Sequence, residues 1–303
     1  MHHGTKMLLI LMAAVCLISG VPGSAQAFSG KLQLPAEGTS QIITLEDGSS
    51  LVGRITEIGE NEIKFQGDLG EMTIAISKIK EIKEVSGSAV KGGKYWFPNP
   101  NRTRLLFGPT GRTLKAGDGY FFDLWIFFPG LAYGITDNFM ISGGVSIIPG
   151  VNDQMFYITP KFGFAATDKL DLAVSVTAFR LWSETFYIGL GNMTYGTDDK
   201  SLTFGLGTAW TNKAMADKPA ATLGGEYRLS RRTALVGESW FIPGDNDNGL
   251  IALGGLRLLG EKMTIDLGVA YSFEDDQNDS DYPDESEDEG AHWIPYIDFV
   301  WSF

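Results

Sequence analysis

The chain has 303 residues, room for two modest domains or one large one with appendages. A formal net charge of −13 argues against nucleic acid as a partner, and a mean hydropathy of −0.01 excludes a bundle of apolar membrane helices. Neither value excludes a membrane β-barrel, whose strands alternate apolar and polar faces and so average to ordinary hydropathy.

Residues 1–27 read as a secretory signal peptide. Lys6 supplies the positive start, Met7 to Ile18 the apolar run, and Ala25-Gln26-Ala27 the small-residue cleavage site. Cys16, the one cysteine, falls inside the apolar run, so the mature chain carries no thiol and no disulfide. Val15 before it is not the small residue that a lipoprotein signal favours. Residues 28–39 form an N-terminal linker.

Residues 40–85 hold five short strand-like runs, with turns at Asp47-Gly48 and Gly67-Asp68. The pattern Asp47-Gly48, Leu51, Gly53 and Ile55, closed by Ile79 and Ile82, resembles the Sm-like family. That resemblance implies a small SH3-like barrel. Sm-like proteins often bind RNA, but these residues show no basic-aromatic surface, and RNA binding is not carried over. The module reads as a periplasmic plug, spacer or docking unit, with a periplasmic protein or peptidoglycan as its partner. Residues 86–102, with Ser86-Gly87-Ser88, Lys91-Gly92-Gly93 and Pro98-Asn99-Pro100-Asn101, read as a linker.

From residue 103 to 303 the pattern changes to longer alternating runs. Lys169 to Phe179 sets Leu170, Leu172, Val174 and Val176 against Asp171, Ala173, Ser175 and Thr177. Ser201 to Thr211 and Lys262 to Phe273 repeat it, with small and polar residues sharing one face. Short turns at 136–138, 167–169, 197–200, 230–232 and 260–262 alternate with Gly/Pro-rich or longer loops near 112–118, 149–154, 181–185, 212–219, 243–249 and 274–291. These breaks separate twelve strands. The first, about 102–112, is weakened by Pro109 and Gly111, which leaves ten or fourteen as alternatives. An even count returns both barrel ends to the side of the small module.

In the last strand Trp293, Ile297, Phe299, Trp301 and Phe303 share a face, and the chain stops on an aromatic residue. This resembles the terminal signal of bacterial outer-membrane β-barrel proteins. The resemblance implies an outer-membrane location, contact with lipid and lipopolysaccharide, and a barrel-assembly machinery that reads Phe299, Trp301 and Phe303. The segment Arg104 to Leu114, followed by Gly119-Tyr120-Phe121, resembles a stretch of uncharacterised outer-membrane proteins and names no activity. A soluble β-sandwich would also alternate. Aromatic residues at both strand ends favour the membrane: Tyr133, Phe139, Tyr195 and Tyr227 near short turns, and Phe128, Phe156, Trp182, Phe186, Trp210, Trp240, Tyr271 and Trp293 near long loops. The expected fold class is all-β: an antiparallel transmembrane β-barrel of about twelve strands, preceded by a small SH3-like β-barrel domain.

The alternation points ten charged residues into the lumen: Arg104, Asp123, Lys161, Asp171, Glu226, Arg228, Glu238, Arg257, Asp266 and Asp298. Buried charges must pair or meet water. They therefore either line a narrow aqueous pore as selectivity residues or form a salt-bridge network that fills it. The acidic stretch Glu274 to Glu289 offers Asp275, Asp276, Asp279 and Asp281 as a weak Ca2+ or Mg2+ site, against the alternative of a solvated loop. No other cofactor is expected. His292 is the one histidine beyond the signal segment and belongs to no catalytic motif, so no enzyme is expected. The expected function is a narrow passive channel for small solutes. The alternative is a structural barrel with a filled lumen that anchors the small module.

Overall fold

The computed structural model describes residues 31–151, 153–181, 184–243, 248–274 and 292–303. The expected signal peptide, Trp182 and the acidic-loop residues Asp275, Asp276, Asp279 and Asp281 lie outside the described residues, as does the side chain of His292. The chain divides into two compact units after Trp96.

The first unit carries β1 (Thr39–Leu45), β2 (Ser50–Ile58), β3 (Glu62–Gly67), β4 (Gly70–Ala75) and β5 (Ile79–Ser86) in one antiparallel sheet of order β4-β3-β2-β1-β5. A single 3-10 turn, Ile76–Lys78, precedes β5. Alternation places Ile43, Ile55, Ile63, Phe65, Ile74, Ile79 and Ile82 in one buried cluster. Buried Gln41 stitches the sheet, since its Nε2 donates to Gln33 O at 3.0 Å and its Oε1 accepts from Ile55 N at 3.0 Å. In the Asp47-Gly48 turn the Asp47 carboxylate accepts from the Ser49 hydroxyl at 2.6 Å and the Ser49 N–H at 2.8 Å. Those bonds favour the charged form and hold Asp47 below the usual carboxylate range. The first half of the expected linker contains a two-residue ladder, β6 (Val90–Lys91) with β7 (Lys94–Tyr95), turned at Gly92-Gly93.

Among the described residues of the second unit, twelve strands close an antiparallel barrel. They are β8 (Gly119–Leu124), β9 (Phe128–Gly134), β10 (Phe139–Val145), β11 (Phe156–Thr167), β12 (Leu170–Leu181), β13 (Glu184–Gly196), β14 (Lys200–Thr211), β15 (Ala220–Ser230), β16 (Thr233–Pro243), β17 (Asn248–Leu259), β18 (Met263–Glu274) and β19 (His292–Ser302). Each strand pairs with its sequence neighbour, and β19 closes on β8 from Asp298 opposite Leu124 to Ser302 opposite Tyr120. The short turns are set by hydroxyl side chains. Thr167, Thr197 and Ser230 each accept a hydrogen bond from the N–H two residues on, at 3.2, 3.3 and 3.1 Å.

Along β14, Leu202, Phe204 and Leu206 are exposed on the outer face, while Thr203 and Gly205 are buried on the inner one. The same alternation exposes Tyr133, Phe156, Tyr195, Tyr227, Leu256, Leu267, Trp293 and Trp301 around the wall. Trp240 and Phe128 are corrections to the expected outer aromatic belt, because both pack into the core inside the barrel. They fall on the inward parity of β16 and β9, set by Ala234, Val236 and Glu238 in one strand and Ala132 in the other.

The strand count agrees with expectation, but two of its assignments do not. Residues 102–112 form no barrel strand; they are a hairpin inside the barrel. The wall instead begins at β8, and a turn absent from the expected list, Leu124 to Phe127, divides β8 from β9. Phe127 N donates to Leu124 O at 3.3 Å, and the central residues Trp125 and Ile126 have φ of 51° and 68°. Positive φ at both central positions is the mark of a type I′ turn and normally calls for Asn-Gly. The Trp125 ring sits edge-on to Tyr296 at 5.0 Å, and its indole N–H donates to Pro295 O at 2.6 Å, which offsets the backbone strain.

The segment 112–118 is likewise a correction, since it lies at the short-turn end rather than among the long loops. Thr113 Oγ1 donates to Asp137 O at 2.9 Å, Ala116 N to Asp137 Oδ1 at 3.0 Å, and Gly117 N to Gly134 O at 2.9 Å. Both barrel ends still meet at that end, where Phe303 N donates to Gly119 O at 2.9 Å.

Candidate functional site

The lumen is occupied by the chain's own residues 97–112. This segment doubles back as a hairpin: Leu105 N donates to Gly108 O at 2.8 Å and Thr110 N to Thr103 O at 3.0 Å. Pro109, which has no N–H to offer a sheet, sits in the bridge opposite Arg104. Gly111 is required by close approach. Its N–H donates to Thr194 Oγ1 at 2.8 Å, and a Cβ there would collide with the Asp171 carbonyl.

The wall grips the hairpin at three heights. At the tip, the buried Glu238 carboxylate accepts from the backbone N–H of Leu106 at 3.1 Å, Phe107 at 3.0 Å and Gly108 at 2.9 Å, and from the Trp240 indole at 3.0 Å. Successive backbone N–H groups converging on one carboxylate make an anion nest.

At mid-height Arg257 is fully buried and uses its whole fork. Its Nε and Nη2 meet Asp266 at 2.8 and 2.7 Å, Nη1 meets Glu226 at 2.8 Å, and the remaining donors reach Asn101 O at 3.2 Å and Leu105 O at 2.6 Å. Arg104 pairs with Asp298, and Lys161 Nζ spans the hairpin from Thr103 O at 2.7 Å to Thr110 O at 3.3 Å.

At the base, Asn99 Nδ2 donates to Glu226 at 2.8 Å, Arg228 Nη1 to Phe97 O at 2.8 Å, and Arg112 Nε to Asp171 at 3.0 Å. Five basic side chains (Arg104, Arg112, Lys161, Arg228, Arg257) therefore share this space with five acidic ones (Asp171, Glu226, Glu238, Asp266, Asp298): Arg104, Arg112 and Arg257 form ion pairs within the set, Arg228 pairs with Asp199, and Lys161 and Glu238 are met by backbone carbonyls and N–H groups.

Nine of the ten residues expected in the lumen are there. Arg104 reaches it from the hairpin rather than from a wall strand. Asp123 is the correction. On β8 the buried positions are Tyr120, Phe122 and Leu124, so Asp123 shares the outer face with Phe121 and with its cross-strand partner Phe299. The residues that the alternation missed belong to the hairpin: Asn99, Asn101, Phe107 and Arg112. Their signal is the density of Pro, Gly and Arg between Pro98 and Arg112, which suits a packed turn better than a lipid-facing strand.

Beyond the hairpin tip, toward the long loops, the described residues surround a hollow. A cavity of about 630 Å³ has Phe107 as its floor and Trp125, Phe128, Tyr157, Phe179, Trp240, Ile251 and Leu253 in its wall. The Phe107 ring lies 6.0 Å from Tyr157, 6.0 Å from Phe179 and 5.9 Å from Trp240. Among the described residues no charged side chain lines it. The barrel interior is thus divided into a packed, ionic half at the short-turn end and an apolar hollow at the other.

No known family profile matches the sequence, and no curated relative matches it. Among solved structures, the KdgM porin is similar at a TM-score of 0.43 and 10% identity, over 61% of this chain and 98% of that one. OmpTdeltaL8, a loop-deletion mutant of the outer-membrane protein OmpT of Vibrio cholerae, is similar at a TM-score of 0.36 and 12% identity, over 88% of this chain and 96% of that one.

Proposed function

We propose that this chain is a bacterial outer-membrane barrel that takes up small solutes, held shut in the state described by its own hairpin. The observation that carries this reading is the divided lumen, with a latched segment below an apolar cavity. A barrel that served only as an anchor has no use for a hollow of about 630 Å³, since protein interiors normally keep few voids larger than a water molecule.

Membrane insertion rests on the outer face. β11 to β19 run 11 to 13 residues, and at about 3.3 Å per residue with a tilt of about 45° such strands cross a slab of roughly 25–30 Å. A continuous belt of exposed Leu, Phe, Tyr and Trp would be untenable in water. The closing strand, with Phe299, Trp301 and Phe303 on the outer face, fits handling by a barrel-assembly machinery.

Both barrel ends at the short-turn side support a periplasmic place for residues 31–96. The sheet order β4-β3-β2-β1-β5, with a 3-10 turn before its last strand, favours an SH3-like module there. Its partner is a periplasmic protein or peptidoglycan. No catalytic role is assigned to any residue.

Planar-bilayer recording tests the reading. Replacing residues 99–112 with a flexible Gly/Ser linker is expected to give discrete conducting steps, with the intact chain closed most of the time. A deletion variant that inserts and folds yet stays silent would overturn it in favour of the anchor.

A further inference from the structure

We infer that the cavity above the hairpin tip is a binding site for a neutral, ring-containing apolar solute. The inference rests on the uptake reading and names its substrate class. Size comes first: a cavity of about 150 Å³ lined by aliphatic and aromatic side chains stays dry and binds benzene, so about 630 Å³ admits a compound of two or three fused rings.

Charge comes next. The ionised side chains of the barrel interior are committed below Phe107, to the hairpin and to one another. The lining offers no cation or carboxylate among the described residues, so an ionised ligand would lose its hydration with nothing in exchange. Shape selects rings over chains. Phe107, Tyr157, Phe179 and Trp240 present faces and edges at centroid spacings near 6 Å, the range in which aromatic rings pack edge-to-face or offset. Phe107 also belongs to the hairpin, and Glu238 binds its backbone N–H at 3.0 Å. A ligand on its ring therefore rests directly on the latched segment.

The test is calorimetric titration of the full-length protein in lipid nanodiscs, with empty discs subtracted, using naphthalene and naphthalene-2-sulfonate as probes. Saturable naphthalene binding is expected, at least tenfold tighter than the sulfonate. Filling the cavity with Ile251→Phe and Leu253→Phe is expected to weaken it at least tenfold. Phe107→Ala, which leaves the wall untouched, is expected to weaken it about threefold or more. Heat-modifiable migration on gels shows that each variant has folded.

No saturable component above empty discs, equal affinity for the sulfonate, tighter binding of decanol than of naphthalene, or full affinity in both variants would each overturn the assignment. The readout does not depend on conduction. A barrel that binds naphthalene but stays silent without its hairpin would leave this site standing and sink the uptake reading instead.

Discussion

Glu238→Ala is expected to raise the open probability of the barrel in planar bilayers by about a hundredfold. Among the described residues, Glu238 is the one acceptor for the three backbone N–H groups at the hairpin tip, and it also holds the Trp240 indole. Its truncation leaves these donors buried without partners, each at a cost of about 1–3 kcal/mol. The closed state carries that penalty; a displaced hairpin, with its tip in water, does not. A differential of about 3 kcal/mol shifts a two-state equilibrium by roughly two orders of magnitude. Glu238→Gln, which keeps one acceptor oxygen, is expected to fall between wild type and alanine. A folded Glu238→Ala barrel with wild-type gating would show that the nest does not hold the hairpin shut.

Arg257→Met is expected to cost about 3–5 kcal/mol of barrel stability, read as a lower urea midpoint for unfolding from vesicles. The size follows from what stays behind. Asp266 and Glu226 are both buried, and they would lose the guanidinium that neutralises them together. Asn101 O and Leu105 O would lose donors in the same step. Arg257→Lys is expected to recover only part, because an ammonium cannot supply the two-pronged fork to Asp266. Adding Asp266→Asn and Glu226→Gln to Arg257→Met is expected to restore much of the loss, since no uncompensated charge then remains. Lack of any rescue would mean that the packing of Arg257 matters more than its charge.

The wall was legible in the sequence because the strand period of two writes the lumen and the outer face into every second residue. Lys161, Asp171, Glu226 and Asp298 fell into place on that rule alone. Closure was legible through the aromatic face of β19. What the period could not show lies where chain leaves the wall. Arg104 to Arg112 has the length and charge of a strand; Pro109 and Gly111 point to a turn, and the partners inside the lumen make it a hairpin. The β8–β9 turn was hidden for the opposite reason. Trp125 and Ile126 occupy positions that Asn-Gly would have announced, with a strain that only the rings and carbonyls of β19 explain. The parity error at Asp123 follows from that missed turn: without a chain reversal after Leu124, the alternation through residues 119–135 has no fixed phase.

The ten charges that balance inside the lumen do not balance within each part. Arg104 and Arg112 belong to the hairpin, whereas Asp171, Glu226, Glu238, Asp266 and Asp298 all belong to the wall, with Lys161, Arg228 and Arg257 beside them. When the hairpin withdraws, it takes those two cations, with the partly exposed Arg102 beside them, and leaves five carboxylates facing three cations across the same space. The emptied conduit therefore has an intrinsic polarity. In a potassium chloride gradient, the reversal potential of the hairpin-deleted barrel should carry the sign of cation preference, and it should shrink as rising ionic strength screens the exposed ring.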